Sequence, residues 1–305
     1  MVRLATVGTS AITEKFLSAA RKTGRFELVT CYSRTGEKGE AFAKAQGFKG
    51  CCTDITELAK SPDINAVYIA TPNSLHYAQS RIFLENGKHV LCEKPITASA
   101  KEYDALLKLA DEKGVIYAEA IMSRHFKGRK ILFNALSEIG DISAARIDYC
   151  QRSSRYDAFK SGEHMNIFDM SLGAGTLTDL GVYCVYAAVD MFGMPQSVKA
   201  SAAFFDNGAD KSGSAIFEYD GFTAALSYSK AGQSAIGSEI IGDGGAVKIG
   251  SVSQYADISL VKNGKETKLS GFPERDEIMG DEAIKFADYI EKSKEFKADY
   301  NEVSV

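Results

Sequence analysis

Through the first 120 residues, short apolar runs alternate with stretches whose apolar residues recur every three or four positions. The runs at 2–7, 26–31, 66–70, 89–92 and 115–118 have the length and continuity of strands buried on both faces. The stretches at 13–22, 37–46, 74–85 and 99–112 predict amphipathic helices; in the last, Tyr103, Leu106, Leu107 and Ala110 fall on one face. Such alternation predicts an α/β unit, a doubly wound parallel sheet wrapped by helices. Right-handed crossovers then bring every strand's carboxyl end to one edge of the sheet, where ligands bind in such folds.

Past about residue 122 the pattern changes. A helix at 129–136 is followed by alternating strands at 144–150, 197–205, 214–219, 222–229, 238–241, 246–249 and 258–261. Asp220-Gly221, Asp243-Gly244-Gly245 and Asn263-Gly264 are hairpin signals, so consecutive antiparallel pairs are expected. A helix at 177–192 interrupts the strands and another lies at 282–291. The reading is a first domain over 1–122 and an α+β second domain over 123–305, built on an open, mainly antiparallel sheet. A length of 305 residues suits two domains of roughly 150.

Charge sharpens this division. The chain has 36 Lys and Arg against 40 Asp and Glu, a net of −4, which excludes a basic protein that coats nucleic acid. Residues 1–122 hold 16 basic and 14 acidic side chains, net +2, and the remainder 20 and 26, net −6. An anionic ligand therefore belongs with the first half. The six cysteines form no CxxC pair, and the histidines at 76, 89, 125 and 164 show no zinc spacing, so a reduced, metal-free, cytoplasmic protein is expected. The apolar stretch at 4–12, broken by Thr6, Thr9 and Ser10, is too short for a signal-peptide core or a membrane span.

The chemistry gathers at the predicted strand ends. The first strand runs into Gly8-Thr9-Ser10-Ala11-Ile12-Thr13 and a helix, a G-x-G-x-x-G fingerprint with Ser10 and Thr13 in place of the later glycines. Read alone, it is as readily a plain strand-to-helix turn as a cradle for a pyrophosphate. The second strand ends Thr30-Cys31-Tyr32-Ser33-Arg34, with Lys38 one turn on. A hydroxyl and a guanidinium stand where an NAD site would carry a carboxylate, which favours the 2′-phosphate of NADP. The third strand ends Thr71-Pro72-Asn73 and leads to His76, leaving an amide and an imidazole toward the crevice; Asn73 alone reads as a helix cap. The fourth ends Cys92-Glu93-Lys94-Pro95, and a lysine there suits proton chemistry or polarisation of a carbonyl.

His89-Val90-Leu91-Cys92-Glu93-Lys94-Pro95-Ile96 resembles the signature of the glucose-fructose oxidoreductase, inositol dehydrogenase and MocA family (Gfo/Idh/MocA). The match extends to Thr71-Pro72-Asn73 with His76, to 119–124 (compare E-A-x-M-x-R), and to Gly173-Ala174-Gly175-Thr176-Leu177-Thr178-Asp179-Leu180-Gly181-Val182-Tyr183 (compare G-G-G-x-L-x-D-x-G-x-H/Y). It covers nearly the whole chain. The resemblance implies a Rossmann domain, a second domain on an open antiparallel sheet, and an active site between them. It places the catalytic lysine on Lys94, the ribose-binding glutamate on Glu93 and the second-signature acid on Asp179. The last motif position, histidine in many members, is Tyr183 here, as in members resembling dimeric dihydrodiol dehydrogenase, and becomes the proton donor or acceptor. Asp179 and Tyr183, four apart on a helix, share a face; read alone, they are a first-turn carboxylate and a core aromatic.

The strand ends and the resemblance together point to cofactor contacts from Gly8, Thr9, Ser10, Ala11, Ile12, Ser33, Arg34, Lys38, Thr71, Pro72, Asn73, His76, Glu93, Lys94 and Arg124. Substrate contacts would come from Lys94, Asn166, Asp179 and Tyr183. The expected function is hydride transfer between nicotinamide C4 and a CH-OH or C=O carbon of a sugar, polyol or dihydrodiol, with NADP(H) ahead of NAD(H) and no metal. The rival is a non-catalytic NADP-binding sensor on the same fold, which has no need of Lys94 and Tyr183 at the nicotinamide. A half-exposed sheet face carrying Phe204, Phe217, Tyr219 and Phe222 predicts a homodimer or higher homo-oligomer. Resembling chains usually close with one more helix after the one at 282–291, whereas this sequence runs to Val305.

Overall fold

The computed structural model describes residues 1–292. They form two compact units, Met1–Ile121 joined by the segment from Glu274, and Met122–Pro273. The first unit alternates β1 (Val2–Val7), α1 (Ala11–Thr23), β2 (Phe26–Tyr32), α2 (Gly36–Gln46), β3 (Gly50–Cys52), α3 (Ile55–Lys60), β4 (Ala66–Ile69), α4 (His76–Glu85), β5 (His89–Glu93), α5 (Ala100–Lys113) and β6 (Tyr117–Ala120). All strand pairs are parallel, in the order β3-β2-β1-β4-β5-β6, which is the Rossmann order. Ala5, Val7, Val67, Ile69, Val90 and Cys92 from the central strands pack on Phe83, Leu84 and Leu106 from the helices. Each continuous apolar run is thus buried because helices cover both faces.

Two elements of this unit go beyond the sequence reading. β3 is a three-residue edge strand, too short to show a period. α3 is held by Asp54, whose Oδ1 accepts the N–H groups of Thr56 and Glu57. The last strand also lies two residues later than its apolar run.

The second unit contains α6 (Lys127–Leu136), β7 (Ile142–Cys150), α7 (Tyr156–Lys160), α8 (Val182–Phe192), β8 (Ser197–Phe204), β9 (Asp210–Glu218), β10 (Thr223–Ser229), β11 (Ser238–Gly242), β12 (Gly245–Ser251), β13 (Ala256–Lys262) and β14 (Lys265–Lys268). Its eight strands run in the order β14-β13-β12-β11-β7-β10-β9-β8, antiparallel except for β7 with β10. The three turn signals become the β9–β10, β11–β12 and β13–β14 hairpins. Alternation sends Ala145, Ile147, Ala224, Leu226 and Ile240 to the buried face, over which α8 lies. The stretch Met170–Phe192 is long and apolar enough to cross a membrane by composition, but half of its window is buried inside this unit.

The expected aromatic patch is not exposed as a group. Phe217 alternates onto the covered face, at 5% exposure. Tyr219 and Phe222 stack with centroids 4.9 Å apart, both edge-on to Phe192 of α8. Only Phe204, at the end of edge strand β8, stays open.

The helix predicted at 282–291 is the longer α9 (Arg275–Lys292). It belongs with the first unit, not with the second-domain span 123–305. Asp276 takes Lys22 at 2.6 Å and the Ser18 hydroxyl at 3.1 Å, while Arg25 reaches Asp288 at 3.0 Å and Glu291 at 2.9 Å. A linear reading follows chain order and misses such a return. Residues 293–305 lie outside the described residues.

Candidate active site

Gly8 to Ile12, Ser33, Arg34, Thr71 to Asn73, Glu93 and Lys94 all sit at or just beyond the carboxyl ends of β1, β2, β4 and β5. Gly8 has φ +113°, and a Cβ there would lie 2.4 Å from the Ala70 carbonyl, so only glycine lets β1 leave the sheet beside β4. Ser10 occupies the N-cap of α1, but its hydroxyl faces that of Thr13 at 3.3 Å and makes no cap bond. The first N–H groups of α1 therefore have no side-chain cap, the arrangement an anion such as a pyrophosphate requires. Thr13 is fully buried; the third fingerprint position packs with a hydroxyl side chain instead of glycine.

At the end of β2, Ser33 is buried, its N–H bonded to the Cys52 carbonyl and its Oγ accepting the Thr35 N–H. Arg34 and Lys38 are exposed. Thr35 caps α2 without a side-chain bond, so a second uncapped helix start lies beside these two cations. A Cβ on Gly39 would touch Ser33 and Cys51 at 3.1 Å, so glycine keeps α2 close to β2 and β3. Backbone donors and a guanidinium fork at this place fit a phosphate monoester.

His76 does not open to a crevice as expected. It is fully buried, with Nδ1 2.8 Å from the Pro95 carbonyl and Nε2 3.0 Å from that of Thr71. Burial pulls its pKa below the usual value while the two carbonyls oppose this. The ring ties the loop after β4 to the loop carrying Lys94, which is a positioning role. Beside it, Tyr68 donates to Glu93 Oε1 at 2.5 Å and stacks on Phe16, centroids 4.0 Å apart. Burial pushes the Glu93 carboxyl up, against the pull of Tyr68 and Lys94. Glu119 Oε1 accepts the Ile96 N–H at 2.9 Å, and burial raises its pKa to about 7. Glu282 of α9, 2% exposed with Oε1 unpartnered, is pushed up by burial and then by Glu93. Lys94 is thus backed by a buried carboxyl cluster. Tyr68 and Glu282 escaped the sequence reading, although Glu282 sits within the apolar stripe of its helix, among Ile278, Met279, Ala283 and Phe286.

In the second unit, Asp179 lies in one π-helical turn, Leu177–Gly181, that feeds α8; Tyr183 lies in the first turn of α8. Single π turns inside helices recur at functional sites. The turn is anchored from outside: Asp210 of β9 accepts the N–H groups of Thr176 and Leu177, both at 2.7 Å. A Cβ on Gly175 would lie 2.4 Å from that carboxylate, which explains the glycine before the helix. Tyr183 is 7% exposed and meets Tyr149 edge-on at 5.6 Å. Asp179 pairs with Lys230 at 3.0 Å, and Lys230 also donates to the Ile167 carbonyl, next to the exposed Asn166. Lys230 and Asp210 were not legible as site residues. The signal for Lys230 was its phase, since it continues the inward positions Leu226 and Tyr228.

Arg124 is the outlying residue. Its guanidinium lies 3.7 Å from Asp190 and 3.5 Å from the Tyr186 hydroxyl. Asp190 also takes a two-point contact from Arg129 and the Tyr255 hydroxyl at 2.9 Å. That buried network gives Arg124 a structural setting within the second unit.

Residues 2–121 match the family model described as an oxidoreductase family with an NAD-binding Rossmann fold, and residues 135–248 match the GFO/IDH/MocA C-terminal domain. The chain is 37% identical over 294 residues to the scyllo-inositol 2-dehydrogenase (NADP(+)) IolU of Bacillus subtilis (strain 168), spanning 96% of this chain and 90% of that one. It is 31% identical over 249 residues to the trans-1,2-dihydrobenzene-1,2-diol dehydrogenase of Xenopus laevis, spanning 80% and 72%. The fold is shared with KijD10, a 3-ketoreductase from Actinomadura kijaniata solved with NADP and TDP-benzene, at TM-score 0.83 and 21% identity over 99% and 93% of the two chains. With both domain models matched and such relatives running along most of its length, the chain belongs to the Gfo/Idh/MocA family of oxidoreductases.

Proposed function

We propose that this oxidoreductase uses NADP(H) to interconvert a CH-OH and a C=O carbon in a polyol, sugar or dihydrodiol. The observation that carries the reading is its proton-handling set: Lys94 beyond β5 beside Glu93, and Asp179 and Tyr183 four residues apart across the π-to-α junction. The names of IolU and the Xenopus relative support the substrate class.

Gly8, Thr9, Ser10, Ala11 and Ile12 would hold the pyrophosphate at the start of α1. Ser33, Arg34 and Lys38 would take the 2′-phosphate at the start of α2, Thr71 to Asn73 would line the same sheet edge, and Glu93 would bond the ribose. Arg124, engaged by Asp190, acts in this reading by holding its own loop. The nicotinamide, when bound, supplies the hydride step. Tyr183 exchanges the proton of the substrate hydroxyl, Lys94 stabilises developing alkoxide charge, and Asp179 with Asn166 orients hydroxyl groups. All six cysteines are free thiols, consistent with a reducing, cytoplasmic location. We also propose a homodimer through the outer face of the eight-stranded sheet.

The test is a panel of scyllo-inositol, myo-inositol, simple sugars, a trans-dihydrodiol and a diketone with NADP(H) and NAD(H) in parallel, followed at the nicotinamide band. Turnover of at least one member is expected, with NADP(H) preferred; silence across the panel favours a sensor, and a tenfold preference for NAD overturns the Arg34 argument. Lys94→Ala and Tyr183→Phe should keep the fold and NADPH binding while losing roughly 10²–10⁴ in turnover. Near-native turnover in either variant removes that residue from the mechanism.

A further inference from the structure

Lys230 follows β10 directly and points inward, its side chain 2% exposed. Buried lysines are rare because an uncompensated ammonium is strongly unfavourable away from water. Here the charge is compensated in a particular way. Nζ lies 3.0 Å from Asp179 Oδ2, donates to the Ile167 carbonyl at 3.0 Å and sits 5.4 Å from the centroid of the Phe168 ring. One ammonium therefore joins three segments: the end of β10, the 3-10 turn Asn166–Phe168 and the π-helical turn Leu177–Gly181.

The pair is asymmetric. The lysine is enclosed, whereas the Asp179 side chain is 43% exposed. Buried ion pairs are poor stabilising devices, since apolar side chains of similar volume often do as well. A buried cation behind a carboxylate that still faces outward instead fixes the direction of the exposed oxygen.

The geometry points to Lys230 as a positioning residue of the hydride-transfer site, holding the Asp179 carboxylate and, through the Ile167 carbonyl, the neighbouring Asn166 in the arrangement that receives substrate hydroxyls. This rests on the proposed role of Asp179 in binding substrate. Lys230 itself touches no reacting atom; it acts through Asp179 and the turn.

The experiment is a double-mutant cycle in the full chain, using the panel substrate that the native protein turns over fastest. Lys230→Met should fold, bind NADPH normally and lower kcat/KM about a hundredfold, the scale of a misplaced site group. Asp179→Asn should cause a comparable loss, and the double variant should be no worse than Asp179→Asn alone. Lys230→Arg, which keeps the charge, should recover most of the activity. The inference is overturned if folded Lys230→Met stays within about threefold of native, if the two losses multiply, or if folded Lys230→Arg is as poor as Lys230→Met. Should Lys230→Met not fold, Lys230→Gln takes its place in the same cycle. A native-like Asp179→Asn would instead remove the role of Asp179, and with it the basis for Lys230.

Discussion

Glu119 illustrates how one side chain couples stability to pH. Its carboxyl is drawn inside to take the Ile96 N–H, and burial lifts its pKa from about 4.5 to about 7, Glu93 adding to the rise and Lys94 opposing it. The folded value lies above the unfolded one. Its contribution is therefore complete below pH 4.5, is lost as pH climbs to 7, and stays constant above that. A shift of this size corresponds to about 3 kcal/mol. Glu119→Gln should remove that share of the pH dependence, seen as a flatter curve of melting temperature against pH between 4.5 and 7; an unchanged slope would sink the assignment. The chemical identities at the strand ends were legible because spacing and residue type carry them: Arg34 without a carboxylate, Lys94 after a buried strand. What surrounds them was not. His76 turned inward to two carbonyls, and the Tyr68–Glu93 bond joins residues 25 positions apart, a pairing set by the sheet and invisible to local spacing.

Among the elements, the helix bearing Asp179 and Tyr183 depends most on a distant partner. Its start is capped by no residue of its own segment but by Asp210, 33 and 34 residues downstream of the two amides it accepts. Thr176 returns a bond to the Asp210 carbonyl at 2.6 Å, so strand and helix are joined at two levels. Asp210→Ala should cost about 1–2 kcal/mol, in line with a lost N-cap, and, if Tyr183 and Asp179 act as proposed, should lower kcat more than it raises KM because both ride on this helix. Gly175→Ala, whose Cβ would press on the same carboxylate, should behave alike. Full native kcat in Asp210→Ala, alongside a lowered melting temperature, would show the cap to be purely structural. Long periodic elements were legible from pattern alone. β3 and α3 were not, because three residues and six residues hold too little period, and the π turn was not, because it depends on the Asp210 anchor.

For the whole molecule, the open question is what covers the outer face of the eight-stranded sheet. Alternation puts Ala144, Ala225, Ser227, Ser214, Ala246, Ile216 and Ile241 on it, but also Arg146 and Asp148 of the central strand β7, and the Arg146–Glu239 ion pair lies directly beside Ala225. The aromatic residues first assigned to it point elsewhere or pack against Phe192. The face is therefore more polar than an aromatic patch, and its small side chains on β9 and β10 leave room for a second sheet to approach beside the Arg146–Glu239 pair. A two-fold pairing repeats the same face against itself, with the small side chains of β9 and β10 meeting beside the Arg146–Glu239 pair and Lys199–Glu218 at a wet rim. Ala225→Arg and Ser227→Arg add bulk and charge at the centre without touching the covered core, where Ala224 and Leu226 point the other way. Light scattering on the native protein should give the mass of two or more 33.0 kDa chains, and both variants should give one, with melting temperatures of the separated chains close to each other. A monomeric native protein removes the dimer, and an assembly that survives both arginines places its contact on another surface.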